Sequence, residues 1–165
     1  MRISAKADYA LRALVLLAEL GPDRVTLEAL TTRGAMPRKF LEGILSDLRH
    51  ADLVHSRRGT DGGYTLAVPA RQITIGQVIR AMDGPLVAAP VARSSGQVHP
   101  SAKHLDTVWV AMAASLAEVL DRVTVDHLLS GRLPAAVVRL ASGGHQSAPT
   151  RSLAVSRSRP SPSRA

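Results

Sequence analysis

The chain has 165 residues, a formal net charge of +8 and no cysteine. That length suits one domain with an appended helix, and the missing thiols exclude a disulfide framework, a thiolate nucleophile and any cysteine-held zinc or iron–sulfur site. Apolar residues make up 45 % of the chain but aromatics only 2 %, so the core must be aliphatic, and RNA readers that stack bases on exposed rings are disfavoured.

The basic balance favours a polyanionic partner, nucleic acid or an anionic membrane surface. The charge is uneven. Arg151, Arg157, Arg159 and Arg164 lie in the tail, which leaves a net of +4 on residues 1–144. A DNA argument must therefore rest on where charge sits in the body. The opening run is apolar but interrupted by Arg12 and Glu19, an amphipathic helix rather than a signal peptide. No run has the length of a membrane span, so a soluble cytoplasmic protein is expected.

Residues 3–20 are predicted as the first helix, with Ser4 as N-cap and Leu11, Leu14, Val15 and Ala18 as its core stripe. Asp8 and Arg12 stand one turn apart as an ion pair. Gly21-Pro22 ends the helix. Thr26 to Arg33 follows as a short helix capped by Thr26, with Leu27 and Leu30 inward. Gly34-Ala35-Met36 is a compact turn, and Pro37 opens the next helix in its first turn. Phe40, Leu41, Ile44, Leu45 and Leu48 recur there at helical spacing. Helix, glycine-containing turn, helix is the helix-turn-helix arrangement, whose second helix places its N-terminal residues against base edges. Arg38 and Lys39 can donate to guanine or phosphate, and Glu42 can accept from a cytosine amino group. Phe40, the only Phe, suits the core equally well.

After Asp52 the period changes. Leu53–Ser56 and Tyr64–Val68 are predicted strands, separated by Arg57-Arg58-Gly59-Thr60-Asp61-Gly62-Gly63. Glycine and Asp make this a tight reversal with two arginines at its base. The expected fold is mainly α with a small β-hairpin: a winged helix-turn-helix module, whose bland alternative is any small α+β domain with a solvated charge pair.

The run LRHADLVHSRRGTDGGYTLAVPARQITIGQVIRAMDG resembles the wing segment of the Rrf2 family of bacterial transcription regulators, and SAKADYALRALVLLAEL is similar to that family's first helix. The similarity is dense over about residues 1–86 and looser over 103–134. Asp52 stands where the family usually has Gly, which bears on the turn into the wing. The resemblance implies that Ser4 and Lys6 approach phosphate, where a simple cap and a solvated lysine are the alternative. It implies that Lys39, Phe40 and Glu42 approach DNA. It places Arg58, before Gly59, for minor-groove insertion, where a narrow groove concentrates negative potential. Arg57 is then a phosphate contact.

Ile73–Met82 is another helix, capped by Thr74, with Ile75, Val78, Ile79 and Met82 as its apolar face. Residues 84–102 are rich in Pro and Gly and aperiodic, a long loop that is functional or mobile. The family's cluster-binding cysteines fall in this region, residues 87–102, and here there are none. A three-cysteine iron–sulfur cluster is therefore excluded as a cofactor. His99, His104, Asp106 and His127 match no established metal motif, so no metal site is expected.

From about Lys103 a long helix carries Leu105, Val108, Trp109, Met112, Leu116, Val119, Leu120 and Val123 as a sustained stripe. A single winged domain has little surface to cover it, so pairing with a second chain is the economical reading. The predicted dimer interface is Leu105, Trp109, Met112, Leu116, Val119, Leu120 and Val123. An intramolecular packing helix is the alternative. A short terminal helix follows, and Leu133-Pro134 closes the segment 103–134. Residues 142–165, dominated by Gly, Ser, Pro and Arg, are expected to be disordered.

No phosphate loop, nucleophile elbow or dinucleotide fingerprint appears, so an enzyme is not expected. The expected function is a sequence-specific, homodimeric DNA-binding regulator, a repressor in the family's commoner mode. Its expected partners are double-stranded DNA, a second copy and an unidentified small-molecule or protein effector. The alternative is a winged module that docks a protein.

Overall fold

The computed structural model describes residues 3–86 and 104–143. Its core is aliphatic, and among the described residues no polar or charged side chain is buried. Helix α1 (Ala5–Glu19) is central and packs against most other elements of the winged body. Ser4 caps it, its side chain accepting from the Ala7 N–H at 3.0 Å. The buried face is Ala7, Ala10, Ala13, Leu14 and Leu17, so it is rotated from the expected stripe. Leu11, Val15 and Ala18 are half-buried at its edge. Alanines face inward because a helix surrounded by neighbours needs small residues where they approach closely.

Helix α2 (Leu27–Gly34) is capped by Thr26 and followed by α3 (Arg38–His50). In the turn between them the left-handed residue is Ala35, φ 48°, rather than the glycine. Gly34 serves a different need. A Cβ there would lie 2.3 Å from Met36 Cε and 3.0 Å from Leu16 Cδ1. Pro37 takes the N-cap position, one residue before the expected first turn, and caps with no side chain. Leu41, Ile44, Leu45 and Leu48 form the buried face of α3.

The α3 terminus turns sharply into the wing. Leu53 N–H donates to Leu48 O at 2.9 Å while Asp52 sits at φ 56°, a left-handed C-terminal cap. Asp is among the few residues that tolerate this region, so the turn forms without glycine. Strand β1 (Val54–Arg57) pairs antiparallel with β2 (Gly63–Leu66), in register from Val54↔Leu66 to Arg57↔Gly63. Val25 adds a further extended residue to this sheet. It exchanges backbone hydrogen bonds with Tyr64 at 3.0 and 2.9 Å.

A 3₁₀ turn (Ala70–Gln72) leads to α4 (Ile75–Asp83), which opens on a capping box between Thr74 and Gln77. Helix α5 (Leu105–Leu120) buries none of its residues and spans 16, about 24 Å at the usual rise. Helix α6 (Val125–Ser130) opens on a second capping box, in which His127 Nδ1 accepts from the Thr124 N–H at 3.1 Å. It packs on α1 and the 3₁₀ turn. The segment after α5 is thus stitched into the winged body.

Val123 was expected on the exposed stripe of the long helix. It lies beyond the end of α5 and is 4 % exposed, part of the chain's own interior. Its carbonyl accepts from Ile75 N–H at 2.8 Å. The chain divides into two units, residues 1–134 and 135–165. In the second, α7 (Ala135–Gly143) occupies a stretch that was not expected to be helical, including Ser142 and Gly143 of the predicted disordered tail. Ala, Val and Leu after Pro134 are enough to carry a helix there. The loop 87–102 and the tail beyond 143 lie outside the described residues.

Candidate nucleic-acid interface

The exposed face of α3 is opposite its buried leucines. Arg38, Lys39, Glu42 and Gly43 are all exposed on it. Arg38 Nε reaches Glu42 Oε1 at 3.3 Å, an i,i+4 pair with both side chains about half-exposed or more. Such a pair is weak and leaves both groups free to re-partner. Among the described residues Lys39, Arg57 and Arg58 enter no salt bridge. Gly43 has nothing within 4 Å of its Cβ position, a bare backbone patch at the centre of this face.

Phe40 is 40 % exposed, so it is not a core residue. Its ring meets Tyr9 of α1 edge to face, with centroids 5.4 Å apart, and Arg12 lies over the other partner, Tyr9, at 5.9 Å. Phe40 thus braces the start of α3 against α1 while keeping an exposed edge.

The wing is joined to α3 by the turn at Asp52. Arg57 ends β1, and Arg58 and Gly59 begin the hairpin loop, all exposed. Gly59 adopts φ 108°, and Gly62 N–H donates to Gly59 O at 2.9 Å to close the loop. A Cβ on Gly62 would lie 2.7 Å from both Arg57 O and Gly59 O. Glycine there is a requirement of the turn that presents the arginines.

Ser4 and Lys6, the implied phosphate contacts, both have partners within the chain. The Ser4 hydroxyl donates to Asp83 Oδ1, and its backbone N–H donates to Asp83 Oδ2 at 3.1 Å. Lys6 Nζ pairs with Asp47 Oδ2 of α3 at 2.7 Å. Both residues tie the start of α1 to its neighbours. The Lys6 pair is about 40 % exposed on both sides, so it can open at low cost.

One basic residue escaped sequence reasoning. Arg24 is exposed, and its Cβ lies 3.2 Å from the Cβ position of Gly63, against the base of the wing. The Val25–Tyr64 bridge puts it there, and no local pattern in the sequence joins those two residues.

The expected dimer surface is partly free and partly used. Leu105 and Met112 are exposed, 46 % and 42 %, and Trp109, Leu116 and Val119 are half-buried. Leu120 packs against the winged core. Among the described residues no helix is long and apolar enough to cross a membrane, and no group of three His, Cys, Asp or Glu could hold a metal ion.

Residues 3–131 match the Rrf2 family, described as "Iron-dependent Transcriptional regulator". A relative named "Putative HTH-type transcriptional regulator Rv1287", of Mycobacterium tuberculosis, is 39 % identical over 143 residues, covering 86 % of this chain and 89 % of the relative. CymR of Bacillus subtilis is 33 % identical over 131 residues, covering 79 % and 91 %. The solved structure of that CymR, "the Global Cysteine Regulator", superposes with a TM-score of 0.64 at 32 % identity, over 79 % of this chain and 97 % of that one. The structure of T. potens IscR gives 0.59 at 29 % identity, over 90 % and 93 %. These relatives are transcription regulators and not enzymes, and their structures share the winged helix-turn-helix. The chain belongs to the Rrf2 family of transcription regulators.

Proposed function

We propose that this regulator is a cytoplasmic, homodimeric, sequence-specific DNA-binding repressor that works without a cysteine-ligated iron–sulfur cluster. The observation that carries DNA binding is that Lys39 on α3 and Arg57 and Arg58 on the wing are exposed and enter no salt bridge among the described residues. They sit on two elements that one tight turn joins. Arg38, Glu42 and Phe40 complete the reading end of α3. Ser4 and Lys6 act mainly by holding α1 to α4 and α3, and Lys6 turns to phosphate when its pair with Asp47 opens.

The α5 surface supports the dimer. A helix with no buried residue and with exposed Leu105 and Met112 needs a partner, and a second copy is the symmetric solution. The family description names iron. The donor chemistry of this chain does not fit a thiolate-held cluster, since it contains no cysteine. The signal is then a small molecule or a protein, with the loop 87–102 as the region to test first.

The test is selection and footprinting on genomic fragments with purified, chelator-treated protein at physiological salt. A two-fold symmetric protected site is the expected result. Specific binding that appears only after metal is restored would make the signal a metal held by ligands other than cysteine. If no specific site appears under any condition, the apolar α5 surface favours a module that docks a protein.

A further inference from the structure

Two residues at the junction of α5 and α4 break local rules. Asp121 is the C-cap of α5, where a carboxylate opposes the helix dipole. Gly76 is the second residue of α4, where glycine is a poorer helix former than a residue with a side chain. Each explains the other. Asp121 Oδ1 receives Arg80 Nη2 at 2.6 Å, and Oδ2 receives Nη1 at 3.3 Å. The Thr74 hydroxyl also donates to Oδ1, at 3.4 Å. A Cβ at position 76 would lie 1.9 Å from that same oxygen and 3.1 Å from Arg80 Nη1. Only glycine lets the carboxylate enter. There it gains a two-pronged guanidinium contact and the positive end of α4.

We propose that this clamp, Arg80 and Thr74 of the α4 start gripping Asp121 over Gly76, sets the angle at which α5 leaves the winged body. In the dimer it thereby sets the separation of the two reading heads. The inference rests on the proposed homodimer through α5. Leu120, the last residue of α5, packs against the winged core and anchors the helix end by apolar contact. Ile75 N–H donates to Val123 O at 2.8 Å and Val125 N–H to Ile73 O at 2.9 Å, both beyond the α5 end. Asp121, the C-cap of α5, adds the polar contact that fixes the direction of the helix end. A rod of about 24 Å that swings by about 10° moves its far end by about 4 Å. That exceeds the rise of one base pair, about 3.4 Å, so the angle selects half-site spacing. Arg80 and Asp121 are each about 40 % exposed, and pairs of that kind contribute little to folding. Removing either leaves a folded protein whose heads are loosely set.

The absence of cysteine makes the test clean. Glu28→Cys on α2 places one spin label on each protomer of the full-length chain, and the distance distribution between them is read by electron double resonance. The parent gives one narrow peak. Arg80→Ala and Asp121→Ala broaden it or shift it by about 4 Å or more, and Arg80→Lys, which keeps the charge but loses the two-pronged contact, falls between parent and alanine variant. In a parallel selection with unlabelled protein, the parent prefers one half-site spacing about tenfold over its single-base-pair neighbours. The two alanine variants lose that preference and keep their affinity for an isolated half-site. Parent-like distributions in both alanine variants overturn the proposal, whatever happens on DNA. So does dissociation of the variants to monomers, which makes the pair an interface contact. A parent with no inter-label distance removes dimer and clamp together. Broadened distances with no operator selected by any protein uphold the clamp and overturn the DNA reading.

Discussion

Arg58 and Lys39 differ in what they are expected to read. Arg58 begins the hairpin loop, held out by glycines that the turn geometry demands. Arg58→Ala should lower specific operator affinity by about 1–3 kcal/mol, with circular dichroism and oligomeric state unchanged. Competition with non-specific DNA measures the difference. Lys39, the second residue of α3, whose start has no side-chain cap, is placed for phosphate. If it acts only there, Lys39→Ala weakens all sequences alike and lowers the salt slope by about one. A loss confined to one base position would make it a reader. Two other residues report on the backbone. Ala35 and Asp52 hold positive φ at the ends of α2 and α3. Ala35→Gly should raise stability by about 1 kcal/mol, and Asp52→Gly by less, since Asp tolerates this region. Urea midpoints at constant m-value check both.

The reading helix and the long helix carry opposite kinds of exposure. Helix α3 has a complete buried face and a polar outer face with Gly43 at its centre. Nothing touches the Gly43 Cβ position, so Gly43→Ala should stabilise the free protein by about 1 kcal/mol. The same methyl should lower operator affinity, because a bare backbone patch there lets DNA approach closely. Gain in stability with unchanged operator binding would show that this face does not meet DNA. Helix α5 has no buried residue and is apolar around most of its circumference, with Asp106 and Glu118 its only charged residues. Met112→Glu should leave the fold intact and convert the dimer to monomer in sedimentation equilibrium. Leu120 would be a poor probe, since it packs on the winged core and its loss would unsettle the fold itself.

At the scale of the whole molecule, function is confined to the surface. With no buried polar group among the described residues, the interior is aliphatic packing and the surface carries two faces of opposite chemistry. One is basic and built from α3 and the wing. The other is apolar and built from α5. The proposed clamp at Asp121 joins the second face to the winged body through α4. Half of the chain's net charge lies in four tail arginines beyond residue 144. Removing residues 145–165 should flatten the salt dependence of DNA binding by up to about three to four units of slope. The boundaries of the protected operator should not move, because the tail attracts without reading. Footprints at equal occupancy for both lengths of chain check this.

The sequence by itself determined whatever depends on neighbours three or four residues apart. Caps at Ser4, Thr26 and Thr74, the buried leucines of α3, the hairpin and its glycines, and the Asp8–Arg12 pair are all written in local spacing. The wing motif added the family and its fold. Only the tertiary structure decided which of several equally apolar faces goes inward. Alanines of α1 face the core because many elements crowd that helix. Val123 is interior because the chain turns at Asp121 to stitch onto α4. Ser4 and Lys6 find Asp83 and Asp47, and Arg24 finds the wing, across long stretches of chain. Those pairings depend on how elements close over one another, and a one-dimensional pattern records the period of each element but not the angle between two of them.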